Sequence, residues 1–252
     1  MNSYDCCLQG KGVIANPNKI TVEGNAEARL LFENAIELDP KSSSAYAELA
    51  YLYVRESQNG WSADRTASLT KAEDIANKAL AISDDVDSHW SLASVYWNQG
   101  EFDKSLSEYD TARRLSSNNP DVGADIAADM AEALIYGGDP DRAITQIKEA
   151  MLRTSKIPYW HWWNLGRACY MAKRYQDALD DIAKIAEPPN DTLLVTAASK
   201  AQLGNLDGAK SDMAKFSQND PNWTLAKSVA YHYRNDSDRQ HWLDGLRKAG
   251  LK

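Results

Sequence analysis

The sequence predicts an all-α solenoid of about six helix–turn–helix units closed by a C-terminal capping helix. Three observations carry this. Apolar residues recur at helical spacing: in Tyr159 to Ile185, Trp162, Leu165, Gly166 and Cys169 fall at i, i+3, i+4 and i+7, and Ala178, Ile182 and Ile185 repeat the pattern after a break at Lys173-Arg174. This hairpin returns at a period of roughly 34 residues. Each of its helices carries a small residue in mid-pattern, Gly166 and Ala178. Two helices approach closely only where side chains are nearly absent, and a glycine inside a helix otherwise costs about 1 kcal/mol against alanine. Trp162 belongs on this core face.

From the N-terminus, the first unit (4–40) opens with a helix over Tyr4 to Ala15. Asn16-Pro17-Asn18 interrupts it, because proline and the residue before it resist helical continuation, and Glu23 to Leu38 completes the unit before Asp39-Pro40. A helix so close to Met1, with no capping segment ahead of it, suggests a chain cut from a longer one. The second unit (42–84) has helices over Ser42 to Val54 and Thr70 to Ile82, separated by the inserted loop Arg55 to Arg65 with Trp61 at its centre, which is expected to fold back on the solenoid. Asp87 to Gln99 with Asp103 to Leu115 forms the third unit (86–119), and Pro120 to Tyr136 with Pro140 to Arg153 the fourth (120–157). Gly100 and Gly137-Gly138 follow their helices as left-handed caps require. The hairpin already described is the fifth unit (159–189), ended by Pro188-Pro189, and Thr192 to Gln202 with Leu206 to Ser217 the sixth (190–221). The tail (222–252) holds two helical pieces, Thr224 to Tyr233 and Asp238 to Ala249, the second with Trp242, Leu243 and Leu246 inward as a polar-backed cap. Because each repeat buries its face on its neighbours, a single domain is expected.

The copies are Trp90-Ser91-Leu92-Ala93, Tyr96, Gly100, Phe102, Tyr109, Ala112, then Met130-Ala131, Gly138, Ala143, Ile147, Ala150, then Ala197, Gly204, Leu206, Ala209, Met213, Phe216, Pro221, with split units upstream. Six in-phase units resemble the tetratricopeptide repeat family over almost the whole chain. The resemblance implies a right-handed superhelical solenoid. More narrowly, YDCCLQGKG, LFENAIELDP, the long loop with its Trp, WHWWNLGRACYMAKRYQDAL and HWLDGLRKAGL resemble the C-terminal repeat region of bacterial class III adenylate/guanylate cyclases. That family's catalytic domain lies N-terminal to the repeats and carries paired metal-binding aspartates on a mixed sheet. No such motif is recognisable here, so this resemblance implies the regulatory or interaction part of a signalling protein.

Composition narrows the function classes. A net charge of -8, with Arg113-Arg114 and Arg247-Lys248 as the densest basic pairs, disfavours nucleic-acid or anionic-membrane binding. No run of 18 apolar residues and no basic segment followed by an apolar run occurs, and Cys6, Cys7 and Cys169 form no disulfide framework or CxxC motif; a cytoplasmic, reducing setting is expected. Neither metal nor cofactor is expected. His89, His161, His232 and His241 lack zinc-site spacing, and Gly10 to Ala15 fits GxGxxA without a preceding strand. Nothing pairs a nucleophile with a base at motif spacing, so the chain is read as non-catalytic.

The informative constellation is a second aromatic stripe. Trp160, Trp163, Arg167 and Tyr170 fall at i, i+3, i+7 and i+10, on a face turned away from Trp162. Equivalent positions hold Tyr51 and Arg55, then Trp90, Trp97 and Asn98, then Glu132 and Tyr136, then Leu194 and Gln202. For any one of these aromatics, packing between repeats is as good an account as a groove; the complete stripe favours a concave, partner-binding groove. Arg55, Asn98 and Arg167 do not reproduce the basic set with which some repeat proteins hold a C-terminal carboxylate. The expected partner is a protein or peptide, including a neighbouring domain of a longer parent chain. The alternatives are a homodimerisation scaffold and a small-molecule-binding solenoid.

Overall fold

The computed structural model describes residues 2–16, 19–154, 157–229 and 231–252. They form thirteen α-helices, with a 3-10 turn at Lys227–Val229 and no strand among the described residues. The chain divides into two compact units, residues 1–118 and 119–252.

In the first unit, α1 (Ser3–Ile14) pairs with α2 (Val22–Leu38), α3 (Ser43–Gln58) with α4 (Arg65–Ile82), and α5 (Val86–Gln99) with α6 (Phe102–Leu115). The hairpins stack: α3 lies on α2, and α5 on α3 and α4. Cys6, Ala28, Phe32, Leu52, Ala72 and Val95 fill the shared interior. The helices start where the sequence supplies oxygen to orphan amides. Asn2 and Asp5 form a reciprocal capping box, and Thr21, Asp64 and Asp85 accept from the backbone N–H of Gly24, Ala67 and Ser88.

In the second unit, α7 (Pro120–Tyr136) pairs with α8 (Pro140–Met151), α9 (Tyr159–Met171) with α10 (Tyr175–Ile182), and α11 (Thr192–Gln202) with α12 (Leu206–Asn219). A last helix, α13 (Asp236–Ala249), covers α11 and α12 and reaches α9. Its inner residues Leu243, Leu246 and Ala249 are buried. Pro120 and Pro140 occupy first helical turns whose missing N–H costs nothing, behind the capping side chains of Asn119 and Asp139. The crossing of α9 and α10 is as close as the small residues suggested: a Cβ on Gly166 would lie 2.7 Å from Ile182 Cγ1 and 3.3 Å from the Ala178 carbonyl oxygen.

The structure corrects four expectations. The inserted loop shrinks to 59–64 because α3 continues through Gln58 and α4 begins at Arg65; no helix breaker stands between Arg55 and Gln58. Helix α10 stops at Ile182, although Ile185 remains buried. The helix expected over Thr224 to Tyr233 reduces to the Lys227–Val229 turn. A helix would set Tyr231 and Tyr233 about 200° apart, whereas both rings meet Tyr136. Trp162 is half-buried, with Lys184 Nζ 4.3 Å from its ring centre. The buried residues of α9 are His161, Asn164, Leu165, Gly166, Ala168, Cys169 and Tyr170, so Leu165, Gly166 and Cys169 lie inward as expected, while His161, which reaches Asp125 on α7, is buried in place of Trp162. Pro17 and Asn18 of the expected interruption, and Ala230 of the expected tail helix, lie outside the described residues.

Two outcomes follow from this packing. Replacing Gly166 by Leu overfills the α9–α10 crossing and is expected to cost about 1–3 kcal/mol in chemical denaturation. Gly12→Ala, where an added Cβ meets nothing within 4 Å, is expected to stabilise by up to about 1 kcal/mol; the reverse order would mean that the crossing is wrongly located. The second concerns His89, which joins the start of α5 to α6: its Nδ1 lies 2.5 Å from Glu108 Oε2 and its Nε2 2.7 Å from Asp84 Oδ1. Burial alone would lower its pKa, but hydrogen bonds to the two carboxylates outweigh burial and raise it. A raised folded-state pKa gives stabilisation that is fully present below the unfolded value near 6.5 and is lost as pH rises through the folded value. Wild-type stability should therefore fall as pH rises through neutrality, and His89→Gln should flatten that slope.

Candidate partner-binding site

In the first unit, the expected groove residues separate by depth. Tyr51 on α3 is 36% exposed and Trp90 on α5 is half-buried. Trp97 is buried. Asn98 is buried too, its amide donating to the Ser94 carbonyl over 2.8 Å. Arg55 is buried beneath Trp61, its guanidinium 5.9 Å from that ring's centre, so the inserted loop folds back on α3. Above them, Lys11 on α1 pairs with Glu48 on α3 at 3.1 Å and Asp87 on α5 at 3.5 Å, a polar bridge across the three first helices of the hairpins.

In the second unit, the stripe forms one connected cluster. The Arg167 guanidinium donates to Glu132 Oε1 at 2.6 Å and to the Tyr136 hydroxyl oxygen at 2.5 Å. It also lies 5.3 Å from the centre of the Tyr136 ring and 5.4 Å from that of Trp163. Burial would lower the Arg167 pKa, yet Tyr136 and Glu132 hold it above its usual value; burial likewise pushes the Tyr136 phenol well up, against the pull of Arg167. The cation is thus permanent and oriented, a fixed rung between two aromatic rings. Trp160, its ring edge-on to His161 at 4.3 Å, and Trp163 are half-buried.

Tyr136 and Tyr170 have a different fate. Both are almost wholly buried, and the chain's own C-terminal part covers them. Tyr231 and Tyr233 set their rings 5.3 and 4.9 Å from Tyr136, and the Arg234 N–H donates to the Tyr136 carbonyl over 2.9 Å. Tyr170 stacks on His241 at 4.9 Å, meets Trp242 edge-on at 5.2 Å, and donates its hydroxyl to the His241 carbonyl over 3.1 Å. Gly245 makes this possible, since a Cβ there would stand 2.1 Å from the Tyr170 oxygen. Leu194 is buried, and Gln202 accepts from Lys248 Nζ at 2.9 Å. The stripe did not reveal Tyr231, Tyr233, His241 and Trp242; the i, i+2 tyrosines of YHYR were the available signal.

Cys169 and His161 are both buried among neighbouring side chains. Burial and then the Asp181 carboxylate push the Cys169 thiol up to about 12, which keeps it protonated. His161, fully buried, lies 3.2 Å from Asp125 Oδ1 through Nε2. Among the described residues no group of three or more His, Cys, Asp or Glu is placed to hold a metal ion, and no helix is long and apolar enough to cross a membrane.

Models of the tetratricopeptide repeat match residues 31–64 and 128–192. Among solved structures, the chain is similar to the Cut9–Hcn1 hetero-tetramer of APC/C (16% identity, TM-score 0.69, covering 99% of this chain and 43% of that one). It is also similar to PilW, described as a widely conserved type IV pilus biogenesis factor (16%, 0.66, 90% and 97%), and to pilF of Pseudomonas aeruginosa (15%, 0.59, 96% and 96%). At these identities the likeness is one of fold. No curated protein gives a significant match. Tetratricopeptide repeats are thus matched in these two stretches, the helical array as a whole has the fold of such repeats, and tetratricopeptide repeat proteins generally mediate protein–protein interactions.

The Arg167 cluster is expected to be stability-bearing. Glu132→Gln leaves the mostly buried guanidinium, 16% exposed, without its counter-charge and should cost about 1–3 kcal/mol. Tyr136→Phe, which removes one acceptor and keeps the ring, should cost about 0.5–1.5 kcal/mol. Urea titrations check both, and equal, negligible losses would show the cluster to be a surface ornament.

Proposed function

We propose that this chain is a non-catalytic protein-interaction module that binds a peptide or partner domain on the aromatic face of α7 and α9. The observation that supports this best is that Trp163 and, one turn before it, Trp160 remain half-exposed, Trp163 beside an arginine already held by Glu132 and Tyr136. Rigid aromatics next to arginine are the residue types that dominate interface energies, and here their orientation is set before any partner arrives. Tyr51 and Trp90 offer accessible aromatics in the first unit, where Arg55, Trp97 and Asn98 are buried. The sequence resemblance to cyclase repeat regions supports a cytoplasmic signalling setting, with the partner either a separate protein or a neighbouring domain.

Selection of a displayed random-peptide library on the purified chain tests this. Selected peptides should bind Trp160→Ala/Trp163→Ala at least about tenfold more weakly, a loss of about 1.4 kcal/mol, while the thermal midpoint stays close to wild type. Peptides that hold the double variant as tightly as the wild type would overturn the proposal.

A further inference from the structure

The stripe on α7 and α9 is continuous, but its two ends are in different states. Trp160 and Trp163 are accessible, whereas at the Tyr136 end the chain has laid its own residues 231–234 across the surface. This segment is not part of the cap's interior. No described residue from Tyr231 to Trp242 is fully buried, and His232, Arg234 and Asn235 are exposed. Its ties to α7 include two ring contacts to Tyr136 and a main-chain hydrogen bond, made from half-buried tyrosines and the backbone of the exposed Arg234. The following helix is held differently: Leu243, Gly245, Leu246 and Ala249 are buried, and Tyr170 is wedged against Gly245. A segment with few buried contacts next to a well-buried helix is the kind that opens on its own.

The segment also has the form of a ligand. Outside a helix, Tyr231 and Tyr233 are free of the helical offset that would part them, and both rings reach Tyr136. Its backbone N–H satisfies a carbonyl in the last turn of α7, where helical partners run out. Gly138 keeps the approach clear, since a Cβ there would lie 2.3 Å from Asn235 Nδ2.

Building on the interaction reading above, we propose that Tyr231–Arg234 is a built-in occupant of the partner site, displaced when a partner presents the same chemistry: a non-helical stretch with two aromatic side chains two residues apart and a following backbone N–H for the Tyr136 carbonyl. Binding by the partner then competes with the chain's own segment, while α13 stays docked.

Two measurements on the full chain test this. In native-state hydrogen exchange, the amides of 231–235 should exchange at least about tenfold faster than those of 243–249; equal protection, meaning that segment and helix open together, would overturn the proposal. A fluorescein-labelled synthetic peptide of residues 231–236 (YHYRND) serves as the probe in anisotropy titrations. It should bind Tyr231→Ser/Tyr233→Ser at least about tenfold more tightly than wild type, and adding Tyr136→Ser should abolish the gain. Equal affinity for wild type and double variant, or no binding to either, would overturn the self-occupied site. Because Trp160 and Trp163 lie beyond the covered end, library peptides that depend on them would leave the interaction reading standing even if this inference fails.

Discussion

A helical hairpin has too little interior to bury its apolar faces alone, so within each unit the hairpins depend on close approach to a neighbouring helix. Where that approach is tightest, side chains are absent. Gly166 lets Ile182 of α10 touch the backbone of α9, and Gly245 lets the hydroxyl of Tyr170 reach the backbone of α13. These contacts set how near the helices stand, and interiors packed at such distances tolerate little change in volume. The turns and caps that start each helix matter less, because their contributions of about 1 kcal/mol are local.

Within the second unit this close packing has a chemical consequence. With α7 and α9 side by side, Arg167 cannot extend into water and instead meets Glu132 and Tyr136. A half-buried cation between two rings is costly unless its donors are used, and here both its charge and its geometry are answered. The result is a rigid platform on which Trp163 stands on one side and Tyr136 on the other. The same platform that orients the accessible tryptophans receives the chain's own tyrosines at its far end, so the partner-facing and self-facing surfaces share one foundation.

Much of the fold was legible in the residues. The period, the small residues at crossings, Pro at first helical turns and Gly after helix ends are local signals, and the hairpins formed where they pointed. On the inner face of α9, Leu165, Gly166 and Cys169 are buried as read, and Trp162 is the exception. A stripe of tryptophans looks like core on bulk alone, but the residue that points inward is His161, chosen by its reach to Asp125 on a neighbouring helix. The tail was misread for a related reason: helical propensity over Thr224 to Tyr233 lost to the gain from placing Tyr231 and Tyr233 together against Tyr136.

For the candidate site, the sequence by itself determined which residue types share a helical face, because that depends only on the 3.6-residue period. It did not determine which of them keep access to solvent. Tyr136, Trp160, Trp163 and Tyr170 belong to the same pattern, yet two are buried by parts of the chain about 70 to 100 residues further on and two are not. Burial is a property of what packs on top, and the covering chain arrives through tertiary contacts that no local spacing encodes.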